Sequence, residues 1–269
     1  MRKADMKKII LGIFAFAALA TAATVQIQAQ ASATAPAATP AAAAAPASLP
    51  ALTADLIVSK YVDAVGGRDA ISKVKTLSTD ATLQVMGNEA PSKTVVVDGV
   101  GLKSESEFNG MKIITVYTDK GGWMQNPMAG AADPTPMPDE QYNTGKAGIY
   151  VGGPLYDYAA KGGTVALVSN DDKAYTIKLT TKEKTEFTFV IDGKTFLLNN
   201  MTTTAQMQGQ AVTLTTSYSD YRKTDAGFLV PYGIAMDFGG QFQIGLTVNK
   251  VELNKTIDPA IFVMPKAGA

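Results

Sequence analysis

Apolar residues change their spacing along this chain, and the change separates a short helical start from a long β region. Apolar side chains recur at helical spacing between Thr53, a suitable N-cap, and the glycine pair 66–67, a suitable stop. A further helical turn or two is predicted over residues 69–75. From Thr76 onward apolar and polar residues alternate, and Thr and Val are frequent, which predicts β-strands.

The alternating region predicts about nine or ten strands joined by short turns. Asp192-Gly193 is a type I′ hairpin signal, and turns are also predicted at 208–209 and 239–240. The apolar phase slips near Asn249, which predicts a β-bulge. Because each strand has one polar face, we expect an antiparallel sheet that is wet on one side and apolar on the other.

Little of the chain remains to cover the apolar face of so large a sheet. The available cover is the N-terminal helix and one irregular segment, residues 120–162. A large sheet curls, and an incompletely covered concave face is a place where small hydrophobic ligands bind. The predicted fold class is therefore mostly β with minor α, a curved antiparallel sheet covered by an N-terminal helix and an irregular lid segment.

The irregular segment is the candidate ligand site. It contains the only Trp of the chain, is rich in Met and Tyr, and is broken by Pro and Gly. Because Met-rich surfaces accept varied apolar ligands, we predict hydrophobic ligand contacts, with no catalytic or metal-binding role, for Trp123, Met124, Met128, Met137, Ile149, Tyr150, Leu155 and Tyr158. Two interpretations stay open. Either these residues form a flap that contacts the ligand, with a lid helix over 139–150, or they are a plug that fills the sheet.

The first 31 residues have the pattern of a cleaved export signal. Four basic residues precede an apolar run at 9–23, and the Ala-Gln-Ala at 29–31 suits a signal peptidase. The alternative is an uncleaved anchor, although the run is shorter than the roughly 20 residues of a spanning helix. We predict a signal peptide over 1–31, a disordered Ala/Pro-rich linker over 32–52 and a single β domain over 53–269. The expected location is the periplasm, in soluble form.

Composition narrows the function. The chain has no His and no Cys, which excludes Ser-His-Asp and Cys-His catalysis, typical zinc sites and disulfides. Without the predicted signal peptide it holds 20 basic and 23 acidic residues. A net charge near −3 provides no electrostatic footprint for nucleic acid. We predict no cofactor and no metal.

Acidic residues offer two weaker candidates for chemistry. Glu105 and Glu107 lie two apart, so both point to one side of a strand. A catalytic carboxylate pair is one reading, but a solvated strand face is favoured by the usual exposure of Glu. Calcium binding by Asp133, Asp139 and Glu140 is disfavoured in the same way, because their spacing matches no EF-type loop.

Several segments, taken in order, resemble the outer-membrane lipoprotein-sorting proteins, the LolA/LolB-like superfamily, in its divergent Bacteroidetes-type version. The opening TADLIVSKYVDAVGGRDAISKVKTL at 53–77 is similar to the start of these proteins. The further landmarks are GWMQNPM at 122–128, GPLYDY at 153–158, MQGQ at 207–210, SDY at 219–221 before VP at 230–231, and IDPAIFVMP at 257–265.

The resemblance implies a curved antiparallel half-barrel with helices over its concave side, which carries acyl chains of lipoproteins or related hydrophobic groups across the periplasm. It also implies an inner-membrane donor and an outer-membrane acceptor as partners, and we expect a monomer. The classical carriers use a cavity Arg to hold the closed state. The folded part of this chain offers Arg68 and Arg222, and neither lies in a matching motif.

Three functions follow from these observations. The first is a periplasmic carrier or chaperone that binds lipoprotein acyl chains or another lipid on the concave face of the half-barrel. The alternative is a non-enzymatic envelope sensor or protein-interaction module on the same fold, which would bind a partner through an exposed sheet edge. An enzyme with paired carboxylates is the third and is the least favoured, since the chain has no His, no Cys and no convincing acid pair.

Overall fold

The computed structural model describes residues 52–171, 173–207 and 210–266. Within them, thirteen strands form one open antiparallel sheet, which confirms the predicted fold class and exceeds the predicted strand number. The strands are β1 (Thr76–Val85), β2 (Asn88–Val97), β3 (Gly101–Phe108), β4 (Met111–Thr118), β5 (Gly122–Asn126), β6 (Ala131–Pro136), β7 (Thr164–Asn170), β8 (Ala174–Thr180), β9 (Glu186–Asp192), β10 (Leu198–Met207), β11 (Gln210–Lys223), β12 (Leu229–Phe238) and β13 (Gln243–Leu253).

The strand order places the first and last strands at the centre of the sheet. The order is β6-β5-β4-β3-β2-β1-β13-β12-β11-β10-β9-β8-β7, and β1 pairs with β13 from Leu77 opposite Leu253 to Val85 opposite Ile244. The consecutive strands β6 and β7 therefore lie at opposite edges. Their connection, residues 137–163, has to cross a face of the sheet, and we call it the strap.

Three α-helices accompany the sheet within the described ranges, namely α1 (Ala54–Ala64), α2 (Gly67–Ser72) and α3 (Asp139–Gly145), with 3-10 turns at Pro127–Ala129, Lys146–Ile149 and Pro259–Phe262. Thr53 caps α1 as predicted, because its Oγ1 accepts from Leu56 N at 3.2 Å. The glycine stop is confirmed as well. Gly66 has a φ of 124°, and a Cβ there would lie 2.6 Å from the Gly227 carbonyl oxygen. The second helix lies earlier than the predicted turn over 69–75.

The predicted bulge is confirmed in the β1–β13 pair. Asp80 pairs with Lys250 and Ala81 with Val248, so Asn249 is the extra residue. A bulge of this kind bends its strand and increases the local twist. It lies at the centre of the sheet, where bending contributes to the curvature of the whole.

The predicted two-residue type I′ hairpin at 192–193 is wrong. A longer loop joins β9 to β10, in which the Asp192 carboxylate accepts from the backbone N–H groups of Lys194 and Thr195 at 3.0 and 2.7 Å. Phe196 then takes a left-handed φ of 56°. The reason is that an Asp side chain can cap a turn of its own, which here replaces the tighter Asp-Gly turn.

The remaining predicted turns have different outcomes. The turn at 239–240 is confirmed, with positive φ values of 62° and 72° at its two glycines. The turn at 208–209 lies outside the described residues, although Met207 and Gln210 on either side of it pair with each other. The predicted signal peptide, and all but the last residue of the predicted linker, also lie outside the described residues.

The segment predicted to be irregular, 120–162, is only partly so. Its first third contains β5 and β6 at one edge of the sheet. Proline in this segment predicts a break in regular structure, but Pro134 and Pro136 both lie in β6. An edge strand tolerates Pro because no further strand needs its N–H groups.

Two buried clusters lie on opposite faces of the sheet. The main cluster fills the inner face, the side covered by α1 and the strap, and includes Phe189 of β9 and Val96 of β2. Val97, the next residue, packs instead against a smaller cluster that contains Trp123 and Phe262. Because successive side chains of a strand point to opposite faces, the smaller cluster lies on the outer face.

Candidate functional site

The second half of the strap is fixed to the β2–β3 turn. The Ile149 carbonyl accepts from Gly99 N at 3.0 Å, and Val151 N donates to Asp98 Oδ1 at 3.0 Å. Ile149 and Val151 are themselves buried. The strap is thus anchored at the turn that joins the fourth and fifth strands in the spatial order of the sheet.

The same half of the strap is also tied to the N-terminal helices. The Tyr158 hydroxyl donates to Asp55 of α1, and Arg68 of α2 pairs with Asp157. Together with the buried Leu155, which belongs to the main cluster, these contacts make residues 150–163 part of the folded body.

The two arginines of the described chain lie away from any enclosed space. Arg68 is 65% exposed in its pair with Asp157, and Arg222 pairs with Asp220 on the surface. The structure therefore has no counterpart to the cavity Arg that the resemblance implied for the classical carriers.

The first half of the strap, residues 139–148, is the part that covers the sheet, and we call it the lid. It consists of α3 and the 3-10 turn that follows. The Tyr142 hydroxyl donates to the Thr118 carbonyl at 2.8 Å. Lys146 forms an ion pair with Glu183 in the β8–β9 turn, and the two side chains are 23% and 19% exposed. The lid is thus joined to β4 in one half of the sheet and to the β8–β9 turn in the other half.

A cavity of about 910 Å³ lies between the lid and the inner face. Among the described residues Glu140 is the one charged residue in its wall, and Glu140 is exposed. Most of the wall comes from seven strands, β4, β5, β9, β10, β11, β12 and β13. The main apolar and aromatic wall residues are Ile113, Tyr117, Met124, Phe187, Met201, Leu214, Tyr218, Phe238, Phe242 and Ile244.

Two tyrosines of this wall, Tyr117 and Tyr218, lie in apolar surroundings. Burial raises the pKa of Tyr117 to about 12. Burial also raises the pKa of Tyr218, with a smaller contribution from nearby Tyr61, whose own pKa burial raises to about 12. A shift in this direction means that the charged phenolate is disfavoured by an apolar environment. The parts of the cavity beside Tyr117 and Tyr218 are therefore suited to uncharged, apolar groups.

A second, smaller pocket of about 470 Å³ lies where the strap meets the β8–β9 turn. Ala147 and Pro154 line both this pocket and the large cavity, so the two spaces adjoin. Its wall is much more polar, with two acidic and three basic residues, namely Asp119, Glu183, Lys146, Lys161 and Lys182. Burial lowers the pKa of Lys161 to about 8, although nearby Asp157 and Asp98 act in the opposite direction.

The eight residues predicted to contact a ligand are spread over several environments. Met124 lines the large cavity, and Ile149, Tyr150 and Tyr158 line the second pocket. Trp123 is 5% exposed on the outer face, where its indole Nε1 donates to the Phe262 carbonyl at 2.8 Å. The others line neither space: Met137 and Leu155 are buried, and Met128 is half-buried in the β5–β6 turn. Their ligand contacts stay predictions.

Most of the cavity wall was missing from that set of eight. Phe187, Leu214, Tyr218, Phe238 and Ile244 come from strands, and the alternating pattern had already placed them on the apolar face. The alternating pattern therefore identifies these five residues as inward-facing. It does not distinguish inward positions that line a cavity from inward positions that are covered by packing.

Of the acidic residues considered for catalysis, Glu105 takes part in ion pairs with two lysines. Glu105 bonds to Lys112 at 2.8 Å and lies 3.3 Å from Lys103, and the hydrogen bond from Lys112 is the main reason that its pKa is lowered. A general acid needs the opposite shift. Within the described ranges no group of three or more acidic residues is arranged to hold a metal ion.

No protein-family model matches the chain, and no curated protein matches it significantly. Solved structures, in contrast, do match the chain. A LolA superfamily protein from Nitrosomonas europaea matches with a TM-score of 0.53 and 14% identity, over 80% of this chain and 99% of that one. A protein domain from Vibrio parahaemolyticus, described as an outer membrane lipoprotein-sorting domain, matches with a TM-score of 0.52 and 10% identity, over 78% and 97%.

These matches establish the fold. The chain has the LolA-like half-barrel architecture, as the resemblance of its sequence segments implied. In the part of the chain that the structure describes, no helix is long and apolar enough to cross a bilayer.

Proposed function

We propose that this chain is a periplasmic carrier or chaperone, without enzymatic activity, that holds a hydrophobic ligand between the lid and the inner face of the sheet. The ligand class is acyl chains, either those of a lipoprotein or those of another lipid. The observation that carries the proposal is the large, mainly apolar cavity under the first half of the strap.

The cavity suits such a ligand in size and chemistry. Its volume of about 910 Å³ falls within the roughly 300–1,000 Å³ of typical small-molecule sites. The wall is mainly aliphatic and aromatic, with several hydroxyl and amide groups and the exposed carboxylate of Glu140. Each methylene group moved from water into such a site contributes about 0.8 kcal/mol, so a long acyl chain binds strongly without any specific polar contact.

In this proposal a ligand enters the cavity when the lid opens. Residues 150–163 are fixed to α1, α2 and the β2–β3 turn, whereas the lid is joined to the sheet by Tyr142 and by the Lys146–Glu183 ion pair. Opening the lid breaks these polar contacts and the packing of α3 on β10 and of the 3-10 turn on β4, and it leaves the rest of the strap in place. The flap interpretation applies to residues 139–148, and the plug interpretation to the buried residues that follow.

The predicted export signal and the fold of a lipoprotein-sorting protein support a soluble periplasmic location. In this setting the carrier accepts its cargo from an inner-membrane donor, delivers it to an outer-membrane acceptor, and acts as a monomer. The proposal involves no nucleic acid and no cofactor.

The test is a pair of substitutions on β10. Ala205 lines the cavity and Thr204, its exposed neighbour, points to the outer face. Ala205→Phe fills the cavity, and Thr204→Phe adds the same group outside. We expect Ala205→Phe to weaken binding of a fluorescent acyl probe at least about tenfold, which corresponds to about 1.4 kcal/mol, and Thr204→Phe to leave it unchanged.

Native mass spectrometry of the chain exported in its own host, followed by lipid extraction, identifies the cargo. A bound lipid that Ala205→Phe removes supports the proposal. If the chain carries no lipid and both variants bind the probe equally, the cavity is not a ligand site and the carrier function is excluded.

One observation favours the second candidate, a protein-interaction module. The edge strand β7 has no charged residue and no Pro, and its Val168 is 60% exposed. Edges of this kind can accept an added strand from a partner. Under this function, Val168→Lys would abolish partner binding while the β10 substitutions would have no effect on it.

A further inference from the structure

Lys161 lies near the end of the strap, and its ammonium group is in contact with neutral groups. Its Nζ donates to the Gly153 carbonyl at 3.0 Å and to the Tyr156 carbonyl. The ring of Tyr150 lies beneath it, with 4.1 Å between Nζ and the ring centroid. The side chain is half-buried and forms part of the wall of the second pocket.

Among the described residues, no carboxylate oxygen lies within 4.0 Å of Lys161 Nζ. The other two lysines of the pocket differ, because Lys146 and Lys182 both lie within that distance of Glu183. Enclosing a cation without a counterion is unfavourable, and the lowered pKa of Lys161 reflects this.

The nearest acids are occupied elsewhere. Asp98 accepts from Val151 N through its Oδ1, and Asp157 pairs with Arg68. Both raise the pKa of Lys161 by their charge, but burial outweighs them. The ammonium group thus has two carbonyl acceptors, an aromatic face and an adjoining pocket, and it has room for one more acceptor since it carries three donors.

We propose that the second pocket binds an anionic group, a carboxylate or a phosphate, with Lys161 as its counterion. The pocket has the volume for such a group together with the atoms attached to it, about 470 Å³. Its local charge is favourable as well. Lys146 and Lys182 share the single carboxylate of Glu183, and the remaining acid of the wall, Asp119, is exposed.

A tyrosine hydroxyl adds a neutral donor to the pocket. Tyr150 belongs to the wall, and a phenol hydroxyl can donate to an anion. The hydroxyls of Tyr142 and Tyr158 already donate to the Thr118 carbonyl and to Asp55. Lys161 would then have a charged acceptor in a partly dehydrated place, where charge-assisted hydrogen bonds are stronger than neutral ones.

The anionic group can belong to a free small anion or to the head group of an amphiphile. The second source is physically reasonable because Ala147 and Pro154 separate this pocket from the apolar cavity and line both. The inference does not rest on the carrier function, since acetate and phosphate test the pocket without any acyl chain.

The experiment is a titration of the whole exported chain, with lysine side chains labelled with ¹³C and observed by NMR. The probes are acetate, inorganic phosphate, dodecanoate and the uncharged dodecanol. The variants are Lys161→Met, which keeps the aliphatic stem, and Lys182→Met, which removes an exposed lysine of the same wall.

We expect the small anions or dodecanoate to shift the Lys161 signal and to raise its titration midpoint above about 8. Lys161→Met should weaken binding of that anion about 10- to 100-fold, and Lys182→Met should change it less than about threefold. If acetate or phosphate binds as tightly as dodecanoate, the natural source is a free anion. If dodecanoate binds much more tightly than acetate and phosphate, and Lys161→Met does not change the affinity for dodecanol, the anionic group is the head group of an amphiphile.

Two outcomes would overturn the inference. One is a Lys161 signal that none of the three anions moves, and the other is anion binding that Lys161→Met leaves intact. Either result would reduce Lys161 to a structural cap on the Gly153 and Tyr156 carbonyls. The wild-type titration decides the matter even if Lys161→Met does not fold.

Discussion

Gly145 of the lid lies directly against the ring of Tyr117 on β4. A Cβ at position 145 would be 2.2 Å from the Tyr117 Cζ, far inside the closest approach of two carbon atoms. Position 145 thus allows the lid to close over the cavity because it has no side chain. The φ of Gly145 is −93°, so the need for glycine comes from this contact and not from the backbone.

Gly145→Ala is therefore expected to hold the lid open. In an exposed helix the same change would stabilise by about 1 kcal/mol, but here the methyl group collides with Tyr117. We expect faster uptake and release of a fluorescent acyl probe, measured by stopped flow, and faster amide hydrogen exchange over 139–148.

The control for this variant removes the ring. Tyr117→Ala combined with Gly145→Ala should bring the exchange rates of the lid back toward those of Tyr117→Ala alone. A Gly145→Ala protein with wild-type probe kinetics would show that the lid does not limit access.

The Lys146–Glu183 ion pair is expected to hold the lid closed. Both side chains are mostly shielded, but each retains some solvent contact, so the pair should contribute only about 1 kcal/mol. Lys146→Met or Glu183→Gln should raise the open population of the lid about fivefold, seen as hydrogen exchange over 139–148. Lys178→Met, which breaks an exposed pair with Glu186, is the matched control and should have no effect there.

Acid should weaken the same contact. Burial is the largest single effect on the pKa of Glu183 and raises it. The hydrogen bond and the charge of Lys146, together with hydrogen bonds from the Glu183 backbone and the Thr181 side chain, outweigh burial, so the pKa is lowered from 4.5. The stabilisation is therefore present above pH 4.5 and is lost as the pH falls through the lowered pKa. Protection factors of the lid amides, which correct for the slower intrinsic exchange in acid, should fall between pH 6 and pH 3 in the wild type and not in Glu183→Gln.

Trp123 is expected to be important for stability and not for ligand binding. It is buried on the outer face against Phe262, whose carbonyl accepts from the indole. Trp123→Ala should lower the free energy of unfolding by about 3–5 kcal/mol, measured with urea. The folded fraction should bind the acyl probe with wild-type affinity. Weaker probe binding by fully folded Trp123→Phe would contradict this.

The enclosed charge of Lys161 should appear in the pH dependence of stability. Its folded pKa is lowered from 10.5 to about 8, so between these values the unfolded chain binds more protons than the folded protein. The free energy of unfolding should therefore rise with pH across that window, and the penalty is fully present below pH 8. Lys161→Met should lack this rise, and parallel curves for the two proteins would contradict it.

Local signals in the sequence determined much of the fold. The helical spacing, the Thr53 cap and the glycine pair after α1 specify the first helix, and the alternation from Thr76 specifies strands with one apolar face. The slip at Asn249 identified the bulge, since a phase change in a period-two pattern is visible without any partner strand. The failure at Asp192-Gly193 was also local, because either a tight turn or an Asp-capped loop suits that pair.

The site depended on contacts between distant parts of the chain. No pattern within 137–163 shows that its two flanking strands, β6 and β7, lie at opposite edges of the sheet, and it is this pairing that places the strap over the inner face. Trp123 and Phe262 are 139 residues apart, so nothing near Trp123 indicated a buried position on the outer face.

The sequence by itself determined which residues are apolar, which segments are helix or strand, and that His- and Cys-based chemistry is absent. Only the tertiary structure decided which inward positions are packed over and which line a cavity, and that Gly145 lies against Tyr117. It also decided that, among the described residues, no carboxylate oxygen lies within 4.0 Å of Lys161 Nζ. The physical reason is that alternation depends on a residue's own backbone. A cavity or an enclosed charge depends on what other segments do or do not place beside it.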